Sequence, residues 1–128
     1  MVVAAFDPFE TFLDMKPDGD ATLLPVDAEF WQGLASGRIP LHGSLFCFLE
    51  FDGGWSHWES HPAGDELILL LGGAAEIELE TAPGAVETIR LDTKKSACLM
   101  PRGSWHRVRG EPGSRLAFLT PGEGTQHR

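Results

Sequence analysis

A chain of 128 residues with 42% apolar side chains and no low-complexity tract suits one compact domain with its own core, and a second domain is not expected. A formal charge of −9 makes a nucleic-acid backbone or an anionic membrane a poor partner, so a small molecule or another protein fits better. Fifteen glycines and nine prolines, scattered as punctuation, imply short elements joined by tight turns, which favours β structure.

Residues 1–25 read as an extended lead-in with an edge strand, interrupted by the turn signal KPDGD at 16–20. The opening stretch MVVAAFDPFE lacks the basic and long apolar regions of a signal peptide. LILLL at 67–71 is too short to span a bilayer, so the expectation is a soluble, cytoplasmic protein. Asp27 is placed to cap a short helix, because a carboxylate accepts the free amide protons of a first turn. Phe30, Trp31 and Leu34 then share one helical face, Gly37 supplies the stop, and the helix is expected to dock on a sheet.

From Pro40 the pattern changes to short runs: SLFCFLEF, WSHWESH, ELILLL, AAEIELE, VETIRL, SACLM, HRVR and RLAFLT. Turn residues fill every gap between them, which argues for an all-β sandwich or barrel. The resulting division is an N-terminal extension with a short helix over 1–39, a β-barrel over 40–120 and a C-terminal tail over 121–128, all in one domain.

The segment WSHWESHPAGDE at 55–66 carries the chemistry. In a regular strand Trp55, His57, Glu59 and His61 point one way and Ser56, Trp58 and Ser60 the other. A face of His, Glu and His buried without partners costs several kcal/mol, about 2–7 per group, and a divalent cation is the most economical compensation. After the turn Pro62–Asp65, Glu66 returns to the same pocket. No nucleophile elbow, phosphate-binding glycine loop or Ser/His/Asp order is present.

These residues resemble the cupin superfamily. Its first motif, G-x5-H-x-H-x(3,4)-E-x6-G, is matched in spacing by Gly53, Glu59, His61, Glu66 and Gly73, with Glu59 where the family most often has a histidine. Its second, G-x5-P-x-G-x2-H-x3-N, is matched by Pro101, Gly103 and His106, with Lys95 and Gly110 departing at the ends. The resemblance spans roughly residues 44–120. It implies a double-stranded β-helix, or jelly-roll, barrel, here with a short N-terminal helix.

The resemblance further implies a divalent transition metal (Fe, Mn, Ni or Zn) held by His61, Glu66 and His106, with Glu59 as the substituted fourth ligand. Without metal, two carboxylates sharing a pocket are expected to push one pKa upward. Glu59 also suits a second role as a base. The function implied is a metal-dependent enzyme of dioxygenase, isomerase or lyase type acting on a small polar metabolite, the alternative being a binding or sensor module with a structural metal. A homodimer is expected by the same resemblance.

His57 shares the predicted face and stands as an alternative ligand, an outer group contacting ligand or substrate, or a plain barrel-mouth histidine. His42 reads as a turn histidine. His127 sits in a tail expected to fray, or to fold back through Pro121–Gly124 as a lid or dimer contact. Arg90, Arg102 and Arg107 read as solvated surface charge, with anion steering as the alternative. Trp55, Phe46, Phe48, Phe51, Leu70 and Ile77 read as barrel lining or core. Cys47 and Cys98, each inside an apolar run, read as small buried hydrophobes in a reducing compartment.

Overall fold

The computed structural model describes residues 3–128. In chain order the elements are β1 (Thr11–Met15), β2 (Ala21–Pro25), α1 (Phe30–Ser36), β3 (Ser44–Glu50), β4 (Glu59–Ser60), β5 (Glu66–Gly72), β6 (Ala75–Ala82), β7 (Ala85–Leu91), β8 (Ala97–Met100), β9 (His106–Gly110), β10 (Arg115–Pro121) and β11 (Gln126–His127). They form two antiparallel sheets, ordered β2-β1-β3-β10-β5-β8 and β11-β4-β9-β6-β7. This is the all-β jelly-roll architecture. No helix among the described residues is long and apolar enough to cross a membrane.

Period-two burial decides which side chains meet between the sheets. In β5, Glu66, Ile68 and Leu70 are buried. In β6 and β9, Ile77, His106 and Val108 are buried, while Glu76, Glu78, Arg107 and Arg109 alternate with them on the other face. Phe12, Phe30, Ile68, Ile77, Leu91, Met100 and Leu116 form the fully buried centre of the core. Each such side chain contributes about 1.5–3 kcal/mol by leaving water.

The lead-in supplies two strands rather than one. β1 and β2 form a hairpin across the predicted turn, and β1 pairs with β3, so the segment extends the six-stranded sheet. The carboxylate of Asp14, buried on β1, accepts the backbone N–H groups of His42 and Gly43 at 2.8 and 2.9 Å. That carboxylate ties the loop before β3 to the hairpin.

Helix α1 docks through Phe30, whose ring meets Phe12 edge-on at 5.3 Å, and the left-handed Gly37 (φ 78°) stops it. Two details differ from expectation. Trp31 is half-exposed, although it touches the rings of Phe30 and Phe12. Asp27 does not cap the helix: its carboxylate accepts the Glu29 N–H in the turn before it, and Glu29 occupies the cap position without a side-chain bond.

The run WSHWESH is not a regular strand. Only Glu59 and Ser60 belong to β4, and an isolated bridge joins Trp55 to Arg109. Glu59 stands opposite His106, so Ser56, His57 and Trp58 face only Arg107 and Val108 on β9. One extra residue on one strand makes a bulge, and a slip of one residue exchanges faces. Trp55 and Trp58 therefore lie on the same side, with the Arg107 guanidinium 4.5 and 4.9 Å from their ring centres. The predicted placement of Trp55 with Glu59 and His61 as barrel lining is corrected accordingly.

Candidate metal centre

Each of three strand ends and turns delivers one side chain to the same point. His61 follows β4, Glu66 opens β5 and His106 opens β9, and all three are buried. Their donor atoms lie within 4.8 Å of one another. His106 Nε2 meets Glu66 Oε1 at 2.8 Å, and His61 Nε2 lies 3.3 Å from Glu66 Oε2. Glu59 reaches the group from the edge: its Oε2 is 3.4 Å from His61 Nε2, and its side chain is 36% exposed.

The turns hold this arrangement by backbone bonds. Gly103, at φ 75° in the PRGS turn, donates its N–H to the carbonyl of His61 at 3.0 Å. Arg102 N–H binds the Asp65 carboxylate at 2.8 Å. A left-handed residue is needed at 103 and glycine takes it without strain, so the second motif's turn is stitched to the first motif's turn.

Outer partners fix the imidazoles. His61 Nδ1 meets the Thr125 hydroxyl at 3.0 Å, and His106 Nδ1 donates to the Ser104 carbonyl at 2.9 Å, which turns both Nε2 atoms inward. The Thr120 hydroxyl donates to Glu66 Oε2. Sequence reasoning missed all three. Thr120 was findable, since it stands two residues from Phe118 on β10; Thr125, in the tail, gave no signal.

Burial works against charge on Glu66, yet the hydrogen bonds and charges of His106 and His61 hold its pKa at about 2. Burial also disfavours protonated His61, but the carboxylates of Glu59 and Glu66 beside it raise its pKa to about 9. The expected rise of a carboxylate is thus overturned: His61 stands between Glu59 and Glu66, so the proton belongs on an imidazole. Burial, followed by the charges of Glu66 and Glu59, pushes the Cys47 thiol upward, and burial and Glu66 do the same at Cys98. Both cysteines are free; Cys47 is buried and Cys98 half-buried.

These residues fit a metal. His61 Nε2 is buried and, among the described residues, has no hydrogen-bond partner, being poorly aligned with the carboxylates near it. Once the ring is neutral, its Nε2 lone pair would face two carboxylates without a donor, which is costly. A cation between His61, His106 and Glu66 satisfies it, and two imidazoles with a carboxylate suit Fe, Mn, Ni or Zn.

The remaining candidates sort themselves around one cavity of about 1130 Å³. Glu59, His61, Glu66 and His106 line it together with the exposed His57 and His42. His57 occupies the bulge at the cavity wall, whereas Glu59 is the residue that reaches His61. The tail does not fray: β11 pairs with β4, and His127 Nε2 lies 3.3 Å from Glu59 Oε1. Arg107 pairs with Glu78 and Arg90 with Glu76 and Glu111 on the outer side.

No family model matches the chain, and no curated protein does. Solved structures do. A cupin-2 domain-containing protein from Shewanella frigidimarina is 18% identical, with a TM-score of 0.51, over 61% of this chain and 70% of that one. Hydroquinone 1,2-dioxygenase from Sphingomonas sp. TTNP3, with 4-hydroxybenzoate bound, is 19% identical with a TM-score of 0.52, over 62% of this chain and 59% of that one. An oxalate oxidase in complex with the substrate analogue glycolate is 13% identical with a TM-score of 0.51, over 65% of this chain and 44% of that one. The chain spans less than two thirds of the length of the dioxygenase and of the oxidase. At such identities the likeness speaks for architecture, and it agrees with the sheet order: the chain has the fold of the cupin superfamily.

Proposed function

We propose that the chain binds one divalent transition metal through His61, Glu66 and His106, with Glu59 as fourth ligand, and acts on a small molecule bound in the adjoining cavity. The reaction is of dioxygenase, isomerase or lyase type. The observation that carries this reading is the buried, unpartnered Nε2 of His61 facing Glu66 beside His106 on a cavity wall. Structural neighbours named as a dioxygenase and an oxidase support the oxidative variant.

When bound, the metal would supply Lewis-acid polarisation of a substrate oxygen and, if it is redox-active, electron transfer. The chain's own residues do the rest. Thr125 and the Ser104 carbonyl fix the two rings. Glu66, buried and ionised, provides the charge that a dication requires. Glu59, partly exposed and shared between His61 and His127, would be a weakly held ligand that can detach and take a proton from a bound molecule at its carboxylate.

Metal analysis of protein purified without chelators tests the reading. About one transition metal per chain is expected, with loss in Glu66→Ala and in His106→Ala. Equal trace metal in wild type and both variants defeats it. With metal present, oxygen uptake over diketones, catechols, thiols and sugar acids separates the oxidative enzyme from the others. Inertness across that panel and in isomerase and lyase assays would leave a binding module.

A further inference from the structure

We propose that the cavity beside the metal centre selects an uncharged molecule that carries two adjacent oxygens on an apolar, ring-sized body, and discriminates against anions. This rests on the metal-binding reading above and names the substrate class for the same site.

The charge of the cavity wall is one-sided. All five histidines of the chain line it, and so do the carboxylates of Glu59, Glu66 and Glu123. None of the chain's ten lysines and arginines, every one among the described residues, does so. The cations are committed elsewhere: Arg107, Arg109 and Arg128 pair with Glu78, Glu76 and Glu80 on the outer face of the five-stranded sheet. Glu59 and Glu66 at the centre already balance a bound dication, and the exposed Glu123 adds a further negative charge to the wall. An anionic substrate would find no guanidinium or ammonium on the wall to pair with, whereas such pairing is how proteins ordinarily recognise carboxylates and phosphates.

The rest of the wall is apolar. Leu45, Leu49, Phe51, Val108 and Phe118 line the cavity, and Cys47 adds a thiol whose burial keeps it uncharged. Trp31, Leu34, Pro40, Leu41 and Pro121 line it as well. Such a wall rewards a molecule that buries a ring or a short hydrocarbon, at about tenfold or more in affinity per buried ring. If Glu59, His61, Glu66 and His106 all held a six-coordinate ion, two positions would remain, and adjacent oxygens would be the matching head group. The cavity volume, somewhat above the ordinary range for ligand pockets, admits a ring with substituents.

Calorimetric titration of the metal-loaded protein at pH 7.5 tests this with matched probes, none a strong chelator in free solution except oxalate. The probes are 2-methoxyphenol, its carboxylate analogue 4-hydroxy-3-methoxybenzoate, ethylene glycol and oxalate. 2-Methoxyphenol is expected to bind about tenfold or more tighter than its carboxylate analogue, whose added charge finds no cationic side chain on the wall. Ethylene glycol, which lacks the ring, is expected to bind more weakly still. His57→Arg, at an exposed wall position, is expected to narrow the ratio between the two ring compounds. Tighter or equal binding of 4-hydroxy-3-methoxybenzoate, oxalate or ethylene glycol overturns the proposal, as does an unchanged ratio in His57→Arg or the absence of 2-methoxyphenol binding. A protein that takes up no metal defeats instead the reading on which it rests.

Discussion

Metal affinity should climb steeply with pH, because the protein must give up a proton to make room for the ion. The His61 imidazole, flanked by Glu59 and Glu66, has its pKa raised to about 9. A metal needs the lone pair of Nε2, which the proton occupies. Two units below that pKa, at pH 7, about one ring in a hundred is neutral, so the apparent affinity lies about 100-fold, or roughly 2.7 kcal/mol, below its plateau. Glu66, held at about 2, stays ionised throughout and adds no slope. The expected result is a rise of about tenfold per pH unit between pH 6.5 and 8.5. Competition of Ni²⁺ or Zn²⁺ between the protein and a chromophoric chelator calibrated at each pH measures it. Glu59→Gln removes one of the two carboxylates that raise His61 and should flatten the slope. A wild-type affinity that changes less than about threefold over those two units would refute the reasoning, since it would mean that no proton leaves on loading.

Other outcomes follow from the same geometry. In the metal-free protein, the protonated His61 stabilises the fold fully below pH 6.5, and that contribution is lost as pH rises through about 9. The ionised Glu66 contributes above pH 4.5 and is lost as pH falls through about 2. Thermal unfolding without metal should therefore show its highest midpoint between these limits and decline on both sides, and saturating metal should remove the alkaline decline. Thr125→Val should weaken metal binding about 10-fold or more, with Thr125→Ser restoring it, because the hydroxyl orients His61 from outside. Asp14→Ala should lower stability by about 1–3 kcal/mol in urea unfolding, since two part-buried backbone N–H groups lose their acceptor. Gly73→Ala should cost about 2 kcal/mol or more: Gly73 has φ 88°, and an added Cβ would overlap the Ser114 side chain.

The architecture was legible because burial in a two-layer β fold has a fixed period. AEIELE on β6 and HRVR on β9 alternate so plainly that even the pairing of Glu78 with Arg107 and Glu76 with Arg109 follows from placing the two strands side by side. His61, Glu66 and His106 were legible for a different reason: the resemblance to the two cupin motifs carried them over position by position, and in the structure Glu66 and His106 open β5 and β9 after the turns PAGD and PRGS. Trp55 escaped because period-two reasoning fails at a bulge, and nothing in WSHW marks one extra residue. Of the two readings of the tail, the structure has the folded-back one, which a two-residue strand has no pattern of its own to announce; what holds it is tertiary. Arg128 N–H donates to the Trp58 carbonyl, and its guanidinium lies over Trp58 and Trp105.

That array of rings and guanidinium groups makes the molecule its own optical probe. The chain has four tryptophans and no tyrosine, so its near-ultraviolet emission is tryptophan emission alone. Three of the four, Trp55, Trp58 and Trp105, stand against Arg107, Arg109 or Arg128 on the same sheet face. Two residues along the backbone from Arg128 and Trp58 lie Gln126 and Ser60, the strand pair that carries His127 and Glu59 to the metal centre. Undocking of this segment would strip a cation from two indoles at once, so a change in emission would register whether the site is assembled, without any label.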